Sequence, residues 1–350
     1  MTRPPVADAL ADAEVTVSRR EALRALGGGG LALGAGKALD NVVVGYGVLV
    51  GTNLLEQDLA ALADERLAPS PFVRRFEDGR RLVYTPGRIR LVDGQGRVVL
   101  KRRLPDADAT AVRTRTSVEL PGEPVEELAA DLAVIAADDH RFSFHRPAAF
   151  FERLDGATQR PTTVAALRGH RFAPADSSTV RRFADADPAD PWAVIRGLKA
   201  GFREHSGYDI PRYLAGSVED NLLGGAVDLR GPFASPTSFE AILDGENTGL
   251  FCYTFAHRSI EALHATPPAR QIPPVFAGVV TDARHKHAYT VVASAVREDG
   301  QLVLPVTFVD YTHSTLYDDL NLRGVLGEGL AAYDARHRAG HIYWNRYARV

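Results

Sequence analysis

The spacing of apolar residues changes period several times along the chain. Leu54, Leu55, Leu59, Leu62 and Leu67 recur at helical intervals and predict a short helix, stopped by Pro69 and Pro71. The period then shortens to two. Arg81-Leu82-Val83-Tyr84, Arg88-Ile89-Arg90-Leu91-Val92 and Arg97-Val98-Val99-Leu100 read as strands, the last two joined by the hairpin signal Asp93-Gly94-Gln95-Gly96. Val112 to Leu120 alternates as another half-buried strand would, whereas 125–137 fits either helix or strand. Residues 154–191 are rich in Asp, Arg, Pro and Ala with little periodicity, the pattern of a connecting segment. Trp192, Ile195, Leu198 and Phe202 then share one face of an amphipathic helix. Phe255, Ala256, Ser259, Ile260 and Leu263 mark a second, ended by Pro267-Pro268. His287 to Val296 and Gln301 to Val309 have strand composition on either side of the turn signal Asp299-Gly300.

This order predicts an α+β protein in four parts: a leader (1–38), a β-rich domain (39–153), the connecting segment (154–191) and a C-terminal core (192–350). The leader contains Ser18-Arg19-Arg20-Glu21-Ala22-Leu23-Arg24, a glycine-rich apolar stretch and then Lys37. It resembles a twin-arginine export signal, with Ala22 where an aromatic or large aliphatic residue is usual, and the resemblance implies export to the cell envelope or beyond. The apolar run Val42 to Val50 is far shorter than the roughly 20 residues that span a bilayer, so no stable membrane span is expected. Gly36-Lys37-Ala38 lacks both the upstream glycine and the hydroxyl residue of a phosphate-binding loop.

Composition narrows the chemistry. The 350 residues carry 41 basic and 44 acidic side chains, a net charge of -3 that argues against nucleic-acid binding by bulk charge. A single cysteine, Cys252, excludes an intrachain disulfide framework and thiolate-cluster metal sites. His140 and His145 flank a Phe-rich run and read as packing or surface residues. Eight of the eleven histidines lie beyond residue 200, in the same part of the chain as Cys252.

Cys252 falls in the first turn of the helix that follows Gly249. Exposed amides and the positive end of the helix dipole favour its thiolate there. A tight hairpin about Asp299 pairs residues whose numbers sum to about 598, which sets His287 opposite position 311, give or take one, and Asp310 beside it. Pro305 is a possible source of a register shift. Cys252 as nucleophile, His287 as proton carrier and Asp310 as the group that orients the imidazole would form a complete acyl-transfer set. The Cys252 amide and an upstream donor, Asn247, are candidates for an oxyanion hole.

These residues stand in contexts that resemble the transglutaminase-like superfamily of papain-like cysteine enzymes. The matching segments are Gly249-Leu250-Phe251-Cys252-Tyr253, His287-Ala288-Tyr289 and Asp310-Tyr311-Thr312, with Pro273 to Val280 resembling the family's proline-containing strand. The resemblance covers about residues 190–320. Gly stands three residues before Cys rather than two, Tyr253 and Tyr289 stand where Trp is usual, and Tyr311 replaces a common Pro. It implies a nucleophile helix packed on an antiparallel sheet, Tyr253 and Tyr289 as supporting residues, a protein or peptide substrate, and neither cofactor nor metal. The implied activity is amide hydrolysis or acyl transfer to an amine.

Two rival readings differ in class. One is an exported binding or scaffold protein in which this core is catalytically inactive. The other is a metal-dependent hydrolase drawing on His285, His287, Asp310, His313, His337 and His341, although no His-Glu-x-x-His motif is present.

Overall fold

The computed structural model describes residues 67–104, 119–120, 123–168, 172–209, 212, 215–216, 219, 228–231, 237–245, 248–282, 287–311 and 341–344. The leader and the helix expected near 54–67 lie outside the described residues, as does most of the strand expected at 112–120. The described chain is mixed α+β with predominantly antiparallel sheets.

Strands β1 (Phe72–Arg75), β2 (Arg81–Thr85), β3 (Arg88–Val92) and β4 (Val98–Arg103) form a meander in that order. Asp93 stabilises the β3–β4 turn by accepting the amides of Gln95 and Arg97. The short ribbon β5 (Glu119–Leu120) and β6 (Glu123–Pro124) leads into α1 (Val125–Ala136). This resolves the ambiguous segment as helix: Val125, Leu128, Ala129 and Leu132 repeat at helical spacing and pack on Leu82, Ile89 and Leu91 of the meander.

The larger sheet has seven strands. After β7 (Arg141–Phe144) come α2 (Pro147–Asp155), β8 (Thr158–Gln159), α3 (Pro161–Arg168), α4 (Ser177–Ala184), α5 (Pro191–His205) and β9 (Ser206–Tyr208). The chain continues through α6 (Phe239–Asp244), β10 (Thr248–Leu250) and α7 (Cys252–Leu263). It then enters β11 (Phe276–Asp282), β12 (His287–Ala293), β13 (Val296–Glu298), β14 (Gln301–Val309) and β15 (His341–Tyr343). The strand order is β15-β11-β12-β14-β13-β8, with β7 also pairing β14, in parallel.

β7 belongs to the large sheet through its pairing with β14, 162 residues away, which no local pattern reveals. The segment 154–191 holds β8, α3 and α4. Its acidic and proline residues are start signals: Asp176 caps α4 by accepting the Ser178 and Thr179 amides, Asp190 caps α5 through Ala193, and Pro161 and Pro191 open α3 and α5.

The seven-stranded sheet is buried on both sides. One side, with Ala277, Val279, Ala288 and Val292, packs on α4, α5 and α7 through Phe183, Phe202, Phe255 and Ile260. The other, with Phe276, Tyr289, Val291, Leu304 and Phe308, is covered by Ile135 of α1 and Val164 and Leu167 of α3. Among the described residues no helix is long and apolar enough to cross a membrane.

Candidate active site

A parallel two-stranded ribbon leads into α7. In it β10 lies beside β9, with Gly249 opposite Gly207 and Leu250 opposite Tyr208. Gly249 is therefore not a hinge but a place of close approach: a Cβ there would come within 2.9 Å of the Asp209 Cβ. The Asp209 amide donates to Leu250 O (3.0 Å), and its carboxylate accepts the Arg212 amide (3.0 Å). The Arg212 guanidinium lies 5.1 Å from the centre of the Phe251 ring, immediately before the cysteine. Asp209 and Arg212 did not stand out in the sequence; the Asp-x-x-Arg spacing of a side-chain-capped turn is the signal they carry.

Cys252 is the first residue of α7 and a free, partly buried thiol. Phe251 occupies the cap position in an extended conformation (φ -106°, ψ 162°) and supplies no side-chain acceptor to the first-turn amides. Those amides have no partner within the helix and are free to donate to an acceptor placed at the helix start. Tyr253 follows Cys252, and its ring centre is 4.0 Å from that of His257 one turn later. Burial, with a smaller contribution from the Arg258 charge, pushes the His257 imidazole down to about 4.

The direction of α7 along the sheet follows from two hydrogen bonds. Thr290 Oγ1 on β12 donates to Ala256 O (3.5 Å), and the Ala277 amide on β11 donates to His264 Nε2 (3.1 Å). Since Ala277 lies opposite Val292, the helix runs from the Thr290 level toward the Val292 level. Its first residue, Cys252, therefore lies toward the end of the sheet where β12 begins at His287. β14 is antiparallel to β12, so its end at Val309, followed by the partly exposed Asp310, lies at that same end.

The β12–β14 register pairs Thr290 with Val309 and Val292 with Thr307, a sum of 599. Continuing the count by one pair sets Tyr289 opposite Asp310, one residue off the sum of about 598 that the turn suggested. Strand β13 keeps the same register on β14. Pro305 causes an interruption at Ser294 and Ala295 rather than a slip: it has no amide to donate, and its carbonyl still accepts the Ser294 amide (3.1 Å). Ala288 and Tyr311, the chain neighbours of His287 and Asp310, lie in the core beneath α7, whereas Tyr289, opposite Asp310 in this register, lies on the far side of the sheet, so strand alternation does not turn Asp310 toward α7. No protein-family model, curated protein or solved structure matches this chain.

The remaining expected residues divide. Tyr289 is fully buried on the far side of the sheet, its ring 5.7 Å from Phe308, so it does not line the Cys252 side. Asn247, His285, His313 and His337 lie outside the described residues. Among the described residues, no group of three or more His, Cys, Asp or Glu side chains is arranged to hold a metal ion.

Proposed function

We propose that this chain is an exported thiol enzyme with a transglutaminase-like core, acting on amide bonds of a protein or peptide. The observation that carries the proposal is the shared location of three chain positions: the start of α7 at Cys252, the start of β12 at His287 and the end of β14 before Asp310 all lie at one end of the sheet. In the proposed reaction the Cys252 thiolate attacks the amide carbonyl carbon, and the C–N bond breaks as His287 delivers a proton to the leaving amine. Asp310 orients the imidazole and stabilises its charged form. Water or a second amine then releases the acyl group from sulfur. The Cys252 amide at the helix start, with Asn247 as a second donor, would bind the oxyanion. Loss of one such donor typically costs about 3 kcal/mol in the transition state.

Thiol labelling tests the assignment. Iodoacetamide should alkylate Cys252 in the native protein near neutral pH, and His287→Ala should slow that reaction without lowering the melting temperature. An unreactive native thiol, or a rate indifferent to His287→Ala, would sink the enzyme reading. It would favour an inactive scaffold, a reading supported by the packing of Cys252 against the core.

A further inference from the structure

The end of α7 remote from Cys252 borders a cleft of about 1100 Å³, between β1 on one side and the segment Pro267–Arg270 on the other. Consecutive residues of β1, from Phe72 to Arg75, line it, so it runs along the edge of the meander rather than over one face. Its wall includes an unusual cation. Arg168, the last residue of α3, is almost wholly buried, and its guanidinium donates to Thr266 O (2.7 Å), Val275 O (2.8 Å) and Gln271 Oε1 (2.6 Å), with longer bonds to His264 O and Leu263 O (both 3.5 Å). All five acceptors are neutral. No carboxylate among the described residues is bonded to this guanidinium, and its Nε is buried without a hydrogen-bond partner. Burial pushes its ionisation down to about 9, which leaves it charged at neutral pH.

A buried charge held only by neutral dipoles is incompletely compensated, and Arg168 is among the residues that line the cleft. The other charges there do not cancel it. Arg75 and Arg270 line the cleft, are exposed, and pair with no acid among the described residues. Of the two acids in the lining, Asp78 is engaged by Arg80 at 2.5 Å, which leaves Glu77 against the cations. His264 also lines the cleft. Because its Nε2 accepts the Ala277 amide, its proton sits on Nδ1, making it a donor and not a counter-charge. Phe72, Phe172 and Pro267 supply apolar surface beside these donors. A few convergent polar groups in a largely apolar concavity are the usual make-up of a small-molecule site.

We propose that this cleft binds a small organic carboxylate with an apolar body, its carboxylate drawn to the Arg168 wall and flanked by Arg75 and Arg270. The site is separate from the Cys252 end of α7 and does not depend on the catalytic reading. Calorimetric titration of the full chain with phenylbutyrate, and with its neutral amide phenylbutyramide, tests it directly. Saturable binding of the carboxylate is expected, with the amide at least about tenfold weaker. Arg75→Ala and Arg270→Ala should each weaken carboxylate binding by roughly threefold to tenfold while leaving the melting temperature unchanged, as suits exposed side chains without structural partners. Cys252→Ala should bind phenylbutyrate as the unaltered chain does. Equal affinity for acid and amide, no binding of the acid up to about 10 mM, or full affinity in both arginine variants would each overturn the proposal.

Discussion

The two sides of the seven-stranded sheet share the same strands and differ in what those strands bury. The side under α1 and α3 is aromatic and aliphatic: Phe142 stacks on Trp344 at 5.9 Å, Phe144 on Phe308 at 5.3 Å, and Leu304 and Val306 fill the space between strands and helices. Its border charges are paired. Asp131 accepts from Arg160 Nε (2.7 Å), Thr163 Oγ1 (2.8 Å) and Arg297 Nη2 (2.7 Å), joining α1, α3 and β13. The side under α7 has polar groups set into its core: Thr290 bonds to Ala256, Ser259 to the Tyr311 hydroxyl (3.2 Å), and His264 to the Ala277 amide. Apolar packing holds a helix against a sheet but fixes its axial position poorly, because burial is non-directional. Directional bonds at the middle and the C-terminal end of α7 set its position along β12, and so set where Cys252 stands relative to the strand ends. One side holds the fold together; the other fixes the position of Cys252.

The sharpest way to break this division is at Asp131. Asp131→Ala would leave the Arg160 guanidinium, which is 1% exposed, without its best-buried partner, and would release Arg297 as well. Removing one member of a buried ion pair costs about 3–5 kcal/mol. We expect a loss of that size in urea unfolding. A loss below about 1 kcal/mol would show that this border contributes little to joining the meander to the sheet.

A purely apolar deletion on the same side should cost somewhat less and leave the chemistry untouched. Leu304 is fully buried on β14, and Leu304→Ala should destabilise by about 2–4 kcal/mol through lost burial and the cavity left behind. The alkylation rate of Cys252 should stay constant as long as the protein remains folded. A change in that rate would mean that the two sides are coupled through the strands.

The pH dependence probes the α7 side. Burial keeps both His257 and His264 neutral by lowering their proton affinity below the ordinary histidine value. The unfolded chain takes up protons as pH falls through about 6.5, whereas folded His257 does so only near 4, so stability must fall with decreasing pH across that window. For His257 alone the loss between pH 7 and pH 5 is about 2 kcal/mol. His257→Phe, which keeps an aromatic ring beside Phe172, should reduce the difference between unfolding midpoints at the two pH values. An unchanged difference would place the acid sensitivity elsewhere.

The two sides were also unequally legible in the sequence. On the α7 side, the helix that starts at Cys252 and the hairpin turning at Asp299-Gly300 carry periodicity and turn residues, which local sequence reports. The other side depends on remote segments. β7 joins β14 in parallel across 162 residues, and α3 was hidden in a stretch whose Pro and Asp residues resemble a linker until they are recognised as helix starts. The candidate site follows the same rule. The positions of Cys252, His287 and Asp310 along their elements could be read from periodicity, but the approach of Asp209 to Gly249 and the packing of Tyr289 on the far side arise from tertiary contacts.

The smallest effect tests whether polar groups on the α7 side are there to be bonded. Thr307 lies opposite Val292 on that side and is fully buried, yet its hydroxyl has no hydrogen-bond partner among the described residues. Valine has nearly the same shape and suits a strand equally well, so Thr307→Val should remove a desolvated hydroxyl without leaving a cavity. A gain of about 1 kcal/mol in urea unfolding is expected. Thr290 is the matched control: its hydroxyl bonds to Ala256 O, so Thr290→Val should give no such gain and should loosen the position of α7. That loosening would register as a changed alkylation rate at Cys252. If Thr307→Val were destabilising and Thr290→Val neutral, the directional contacts that hold the helix would have to be sought on β14 instead of β12.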